Sequence, residues 1–316
     1  MTESVNKTVP AAAAGTESLS PLEAAEPTGE PKPPPTRTAD LAPAPGPTPT
    51  TRLLPKLPWK GPASSLLLGV AGAALLIGAW QLLALVSPDL PAPLEALSKL
   101  RELMASPFHN RGPNDKGVLL QLSTSLGRVF AGFGLAALVG IPIGFLIGAS
   151  RAARGAINPI VQVLRPVSPL AWFPIALVLL KDAGKASIFT IGITALWPTL
   201  VNTAFGVAGV PQDHRDVARV FRFSRRKYVR HVLLPYSMTS IITGLRLSMG
   251  IGWMVIVATE MLAGGTGIGF FVWDSYNNNN LASVVSAILI IGVIGFVLDL
   301  AFARLARRFD YEQNAS

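Results

Sequence analysis

Pro211 to Pro235, PQDHRDVARVFRFSRRKYVRHVLLP, is the most charged run of a chain that is half apolar. Its basic residues are Arg215, Arg219, Arg222, Arg225, Arg226, Lys227 and Arg230. At about 100° per residue on a helix, Arg215, Arg219, Arg222 and Arg226 fall within about 60° of one another, while Val217, Val220 and Phe221 lie opposite. The chemistry this offers is recognition, with one basic face and one apolar face. Asp213 is placed as the N-cap, and Asp216 favours the positive end of the helix dipole. Ala218 lies within the same short helix. Two further arginines, Arg165 and Arg246, interrupt long apolar runs, where a charge is costly and marks a functional candidate. A guanidinium in a watery path attracts an anion and offers it planar donors. A fixed pair with a carboxylate such as Glu260 or Asp299 is the other role open to each. Glu260 is about 21 Å by rise from Arg246 on the same helix, out of its reach.

Covalent chemistry is poorly provided for. The chain has no cysteine, so no thiol nucleophile or thiolate metal site exists. His109, His214 and His231 are scattered, and no metal or other cofactor is expected. The sequence has no GxxxxGK[ST] phosphate loop, no HExxH and no GxSxG. Catalysis, including ATP hydrolysis by this chain alone, is therefore not expected. An ion-driven secondary transporter would need a coupling carboxylate at mid-membrane, and Glu260 and Asp299 both lie near the ends of apolar runs. Nucleic acid is not an expected partner of the basic run, because the apolar segments flanking it leave little room for a duplex.

The elements that must position these residues follow from hydropathy. Charged residues are 14% of the chain, against about 25% in soluble domains, and apolar runs of membrane-spanning length recur. An all-α membrane protein with six transmembrane helices is expected. The spans fall at about 65–86, 123–149, 158–180, 186–208, 236–262 and 281–303, within a membrane domain of 52–310. The polar loop occupies 209–235. Residues 1–51, rich in Pro, Ala, Thr and Glu, cannot bury a core and are expected to be a disordered tail; 311–316 form a second tail. PLEALSKLRELMASP, 93–107, repeats its leucines at helical spacing and reads as an amphipathic helix on the membrane surface. Span two carries Gly127, Gly132, Gly134, Gly140, Gly144 and Gly148, small residues that let helices approach in lipid. Arg128, near one end of that span, is expected to snorkel to water. Ser150 to Arg154 reads as a basic turn. Pro166, Pro169 and Pro174 require the third span to be kinked or unwound. Residues 264–280 are too polar to span and are placed at the interface. Ser168, Asn202 and Ser248 join Arg165 and Arg246 as candidates to line a path. Residues 1–50 hold six acids and three bases, so the net charge of +9 comes from the rest of the chain. The basic segments fall before span one and after spans two, four and six, which puts both termini in the cytoplasm.

The polar loop resembles one found in the membrane subunits of ATP-binding-cassette importers, which reads Glu-Ala-Ala, three residues, Gly, nine residues, Ile-x-Leu-Pro. Here Asp216-Val217-Ala218 and Val232-Leu233-Leu234-Pro235 stand at that separation, and Arg222 replaces the Gly. From about 66 to 310 the chain resembles the nitrate, sulfonate and taurine branch, in SLGRVFAGFGLAALVGIPIGFLIG (125–148), LRPVSPLAWFPIAL (164–177) and TGLRLSMGIGWMVIVATEMLAGG (243–265). GIGFFVWDSYNNNNL (267–281) looks most like nitrate permeases, which implies nitrate, with nitrite or cyanate, as cargo; sulfonate, taurine or bicarbonate is the alternative. The resemblance implies a type I importer permease of the inner membrane with a cytoplasmic coupling helix at 213–222. It further implies cytoplasmic ATPase subunits that use the ATP, a periplasmic solute-binding protein, and a second permease copy as partners.

Overall fold

Eleven helices and no named strand make up the described residues, 62–112 and 115–309 of a computed structural model. The two tails and the bases Arg52, Lys56 and Lys60 lie outside them. In chain order the helices are α1 (Pro62–Val86), α2 (Pro93–Ala105), α3 (Val118–Ala149), α4 (Arg151–Leu164), α5 (Pro169–Leu180), α6 (Ala183–Ala208), α7 (Gln212–Val220), α8 (Arg225–Tyr228), α9 (Leu234–Ala263), α10 (Ile268–Asn277) and α11 (Leu281–Arg307). A π-helical turn, Val229–Leu233, joins α8 to α9. Five helices are long and apolar enough to cross a membrane, and α4 with α5 would make a sixth as a broken pair bent by 96°.

That break has a local cause. Pro166 has no N–H to continue the ladder after Arg165, which is itself still helical, while Pro169 fits the first position of a new helix, where no donor is needed. The expected third span is therefore two helices with 165–168 between them. The first begins earlier than expected. Ser150 Oγ accepts from Ala153 N at 3.3 Å, so the residues expected as a basic turn become the N-cap and first turn of α4.

Helices α3 and α6 pack through the small-residue face of α3. A Cβ on Gly144 would lie 2.6 Å from Thr203 Cβ, and one on Gly148 would lie 2.6 Å from Val207 Cβ. Gly132 and Gly140 stand on the same face, whereas Gly127 and Gly134 meet nothing within 4 Å. Polar side chains join α6 to α9: Ser248 Oγ donates to Ala195 O at 2.6 Å and shares a 2.7 Å hydrogen bond with Thr199 Oγ1. An apolar core of Val129, Ile191, Met249, Ile256, Ile268 and Ala287 draws α3, α6, α9, α10 and α11 together.

Two interface elements take definite form. Helix α2 packs on α11, where Ser286 Oγ donates to Ala96 O at 2.9 Å. The segment expected to lie at the interface contains α10, whose Ile268, Gly269 and Ser275 are buried. The sequence holds this helix at Ile268, Phe271, Val272 and Ser275, a helical period that the neighbouring glycines and asparagines mask.

Candidate functional site

Helix α7 stands between the two long helices α6 and α9. It is nine residues long and begins at Gln212, with Pro211 at the cap position and no side-chain cap bond, so Asp213 lies in the first turn rather than capping it. Arg215 Nη2 donates to Ala208 O at 3.0 Å, satisfying a carbonyl at the end of α6. His214 packs on Tyr236 in the first turn of α9, ring centroids 6.2 Å apart. Ala218 is buried against the bundle. Arg219 pairs with Asp216 at 3.0 Å on the exposed side, a contact of little energetic weight.

The helix stops at Val220. Arg222 N donates to Arg219 O at 3.0 Å and Phe223 N to Ala218 O at 2.9 Å, with Arg222 at φ 49°. This is a Schellman cap, and Arg222 holds the left-handed position where glycine is favoured. The turn that a glycine would permit is made without one. Arg222 and Arg226 consequently leave the helix, and the continuous basic face expected from a single longer helix does not form. The apolar residues do stay together at one end of the bundle. Val217 is 52% exposed, Val220 77% and Phe221 70%. Three large apolar side chains facing outward from a polar loop form a surface suited to a partner.

The arginines of the apolar helices have different surroundings. Arg246 on α9 binds Asp299 on α11 bidentately, Nε to Oδ1 at 2.6 Å and Nη2 to Oδ2 at 2.7 Å. The pair lines a cavity of about 180 Å³ with Trp253 and Phe302. Arg128, expected to snorkel, is drawn inward instead: its Nη1 lies 2.8 Å from Glu260 Oε1 and 2.6 Å from Thr266 O. Glu260 is fully buried, which is why a guanidinium must meet it. Its carboxylate also accepts from Ser125 Oγ at 2.7 and 2.9 Å and from Gly269 N at 3.0 Å. This network was not foreseen, although a buried carboxylate followed by Gly264, Gly265, Gly267 and Gly269 is a signal that backbone comes close to it.

Arg165 sits at the α4–α5 break and lines a hollow of about 240 Å³ together with Trp172, Thr194, Trp197 and Ile251. Ser168 lies in the same break and is exposed. The other two path candidates lie in the α6–α9 contact. Asn202 Nδ2 donates to Pro198 O at 2.9 Å, and Ser248 is completely buried.

A bundle of apolar helices with a broken helix and a short apolar-faced helix at one end is the architecture of an importer's membrane subunit. Residues 140–311 match the family described as binding-protein-dependent transport system inner membrane components, and the chain belongs to that family. It is 45% identical over 233 residues to the nitrate import permease protein NrtB of Synechocystis sp., covering 73% of this chain and 85% of the relative. It is 42% identical to the bicarbonate transport system permease protein CmpB of Synechococcus elongatus, covering 79% and 91%. Among solved structures, an inward-facing conformation of the MetNI methionine ABC transporter matches with a TM-score of 0.56 at 15% identity, over 61% of this chain and 95% of that one. The protein is a multi-pass membrane protein and a permease of the binding-protein-dependent class.

Proposed function

We propose that the chain carries nitrate, or a closely similar small anion, across the inner membrane by alternating access. Two permease copies would surround the path, and a periplasmic binding protein would deliver the anion. Both termini would face the cytoplasm, where separate ATPase subunits hydrolyse the ATP. The observation that carries this reading is α7, whose Val217, Val220 and Phe221 face outward while Arg215 and His214 tie it to α6 and α9. A partner that moves α7 moves both long helices. Arg165 and Ser168 are the path residues the reading retains. Arg246 has its charge matched by Asp299, Ser248 ties α9 to α6, and Asn202 bonds Pro198 O within α6.

The cargo rests on similarity. Identity to the nitrate permease exceeds identity to the bicarbonate permease only slightly, 45% against 42%, and Phe270 to Asp274 add the nitrate-like aromatic segment. Isotopically labelled nitrate, offered to cells expressing this chain with its ATPase and binding protein, tests both parts. ATP-dependent uptake that taurine and bicarbonate fail to compete supports the proposal. ATP-dependent uptake of bicarbonate or taurine without nitrate keeps the architecture and overturns the cargo. Uptake driven by an ion gradient without ATP overturns both.

A further inference from the structure

We infer that the hollow at the α4–α5 break is an anion subsite, in which Arg165 binds a planar trigonal oxyanion beside Trp172 and Trp197. The inference rests on the importer reading above and adds a place and a ligand chemistry to it.

Charge matching is the first observation. Arg128, Arg165 and Arg246 all lie among the apolar helices. Two have carboxylates at hydrogen-bond distance, Glu260 for Arg128 and Asp299 for Arg246. Arg165 makes no ion pair and no side-chain hydrogen bond with any described residue. A guanidinium among apolar helices is costly unless something negative meets it. Arg165 is exposed at the break, so it is open to a partner from outside this chain's described residues.

Position is the second. Thr194 and Trp197 lie midway along α6, which runs from Ala183 to Ala208, and Ile251 lies midway along α9. The hollow is therefore at mid-depth of the bundle. Backbone that leaves the helical ladder at that depth is tolerated where it lines a cavity, and broken helices of this kind hold transported ions in other carriers. Val167 and Pro169, at the start of α5, line the hollow.

Chemistry is the third. A guanidinium is a planar fork that matches two oxygens of a trigonal oxyanion, and it is weakly hydrated, so it gives up water readily. Indole rings line the hollow without offering a competing negative charge, and no carboxylate among the described residues lines it. The volume of about 240 Å³ accommodates such an anion with part of its hydration shell. A flexible zwitterion carrying an ammonium group would meet Arg165 with like charge.

The purified assembly of this permease with its ATPase, without the binding protein, is the material for the test. Equilibrium binding of labelled nitrate and of labelled bicarbonate is measured separately on the wild type, Arg165→Gln and Arg165→Lys. The expected result is binding at least tenfold weaker in Arg165→Gln and partly recovered in Arg165→Lys. Both variants should still assemble with the ATPase subunit, as size-exclusion chromatography reads. Binding of bicarbonate and not nitrate, lost in Arg165→Gln, would support the subsite while overturning the nitrate reading. Equal nitrate binding by wild type and Arg165→Gln would leave the cargo standing and overturn the subsite. Wild type that binds neither anion, or an assembly that falls apart in both variants, also overturns it.

Discussion

Arg128 Nη1 and Glu260 Oε1 stand 2.8 Å apart, and the carboxylate is wholly buried. The pair joins α3 to α9, and through Thr266 O and Gly269 N it also fixes the link that leads into α10. Arg128→Met removes the cation and leaves the carboxylate buried, which costs about 3–5 kcal/mol when a buried pair is broken this way. The expected outcome is a clear fall in the thermal midpoint of the purified permease, with Glu260→Gln falling less because it can still bond Ser125 and Gly269. Equal midpoints for wild type and Arg128→Met would show that the pair does not hold these helices.

The turn after α7 separates backbone cost from partner contact. Arg222 holds φ 49°, a conformation that a glycine adopts with about 1 kcal/mol less strain. Arg222→Gly is expected to stabilise the loop by about that amount and leave the affinity for the ATPase subunit unchanged. Phe221→Asp, which puts a charge on the exposed apolar face, should weaken that affinity at least tenfold. Titration of the ATPase subunit onto immobilised permease reads both. If Arg222→Gly weakens binding as much as Phe221→Asp, the guanidinium itself contacts the partner.

The long helices were legible in the sequence because lipid imposes one simple demand, a long apolar run with its backbone bonds satisfied internally. The observed ends of α6, α9 and α11 lie within a few residues of the expected ones. That the third span departs from a straight helix was legible from Pro166, Pro169 and Pro174, but the place was not, since Pro174 lies inside the intact α5. Other features depended on a partner distant in sequence. Nothing local to Arg128 announces Glu260, more than 130 residues away, and the assignment to water follows from treating a span as a lone helix. Arg246 and Asp299 were individually visible, yet only packing of α9 on α11 shows that they meet. At Arg222 the spacing of the loop was legible, but tertiary packing of α7 overrode the residue's own backbone preference.

The glycine face of α3 gives a paired test. Gly144 faces α6, with a hypothetical Cβ 2.6 Å from Thr203 Cβ and 2.7 Å from Leu200 O, while Gly127 faces nothing within 4 Å. Gly144→Leu must push α3 off α6, and overpacking of this kind costs about 1–3 kcal/mol or more. Gly127→Leu is expected to be neutral or slightly stabilising, because leucine is the better helix former. Comparing thermal midpoints and monodisperse yields of the two variants checks the register of the α3–α6 contact. Equal loss from both would mean that the two faces are not distinguished as described.

The last prediction concerns pH. His109, in the link between α2 and α3, has Nδ1 2.6 Å from Ser106 O and Nε2 2.8 Å from Asp115 Oδ1. Both ring nitrogens face acceptors, so the imidazolium satisfies both at once and neutral imidazole satisfies one. The Ser106 carbonyl first, then the Asp115 carboxylate, raise the pKa of His109 above its ordinary 6.5, with Arg111 opposing weakly. A raised folded-state pKa means that the stabilisation is fully present below 6.5 and is lost as pH rises through the folded value. The link is closed by Gly117 N donating to His109 O at 2.7 Å and Arg111 N donating to Asp115 O at 2.9 Å. Its far end is tied to the α9–α10 link by Lys116 Nζ on Thr266 Oγ1. Hydrogen exchange at Gly117 and Arg111 in wild type, divided by that in His109→Gln at each pH, removes the intrinsic pH dependence of exchange. Protection in the wild type should exceed the variant's in acid and converge with it as pH rises past the His109 pKa. A ratio that stays flat from acid to alkali would mean that His109 and Asp115 do not close this link.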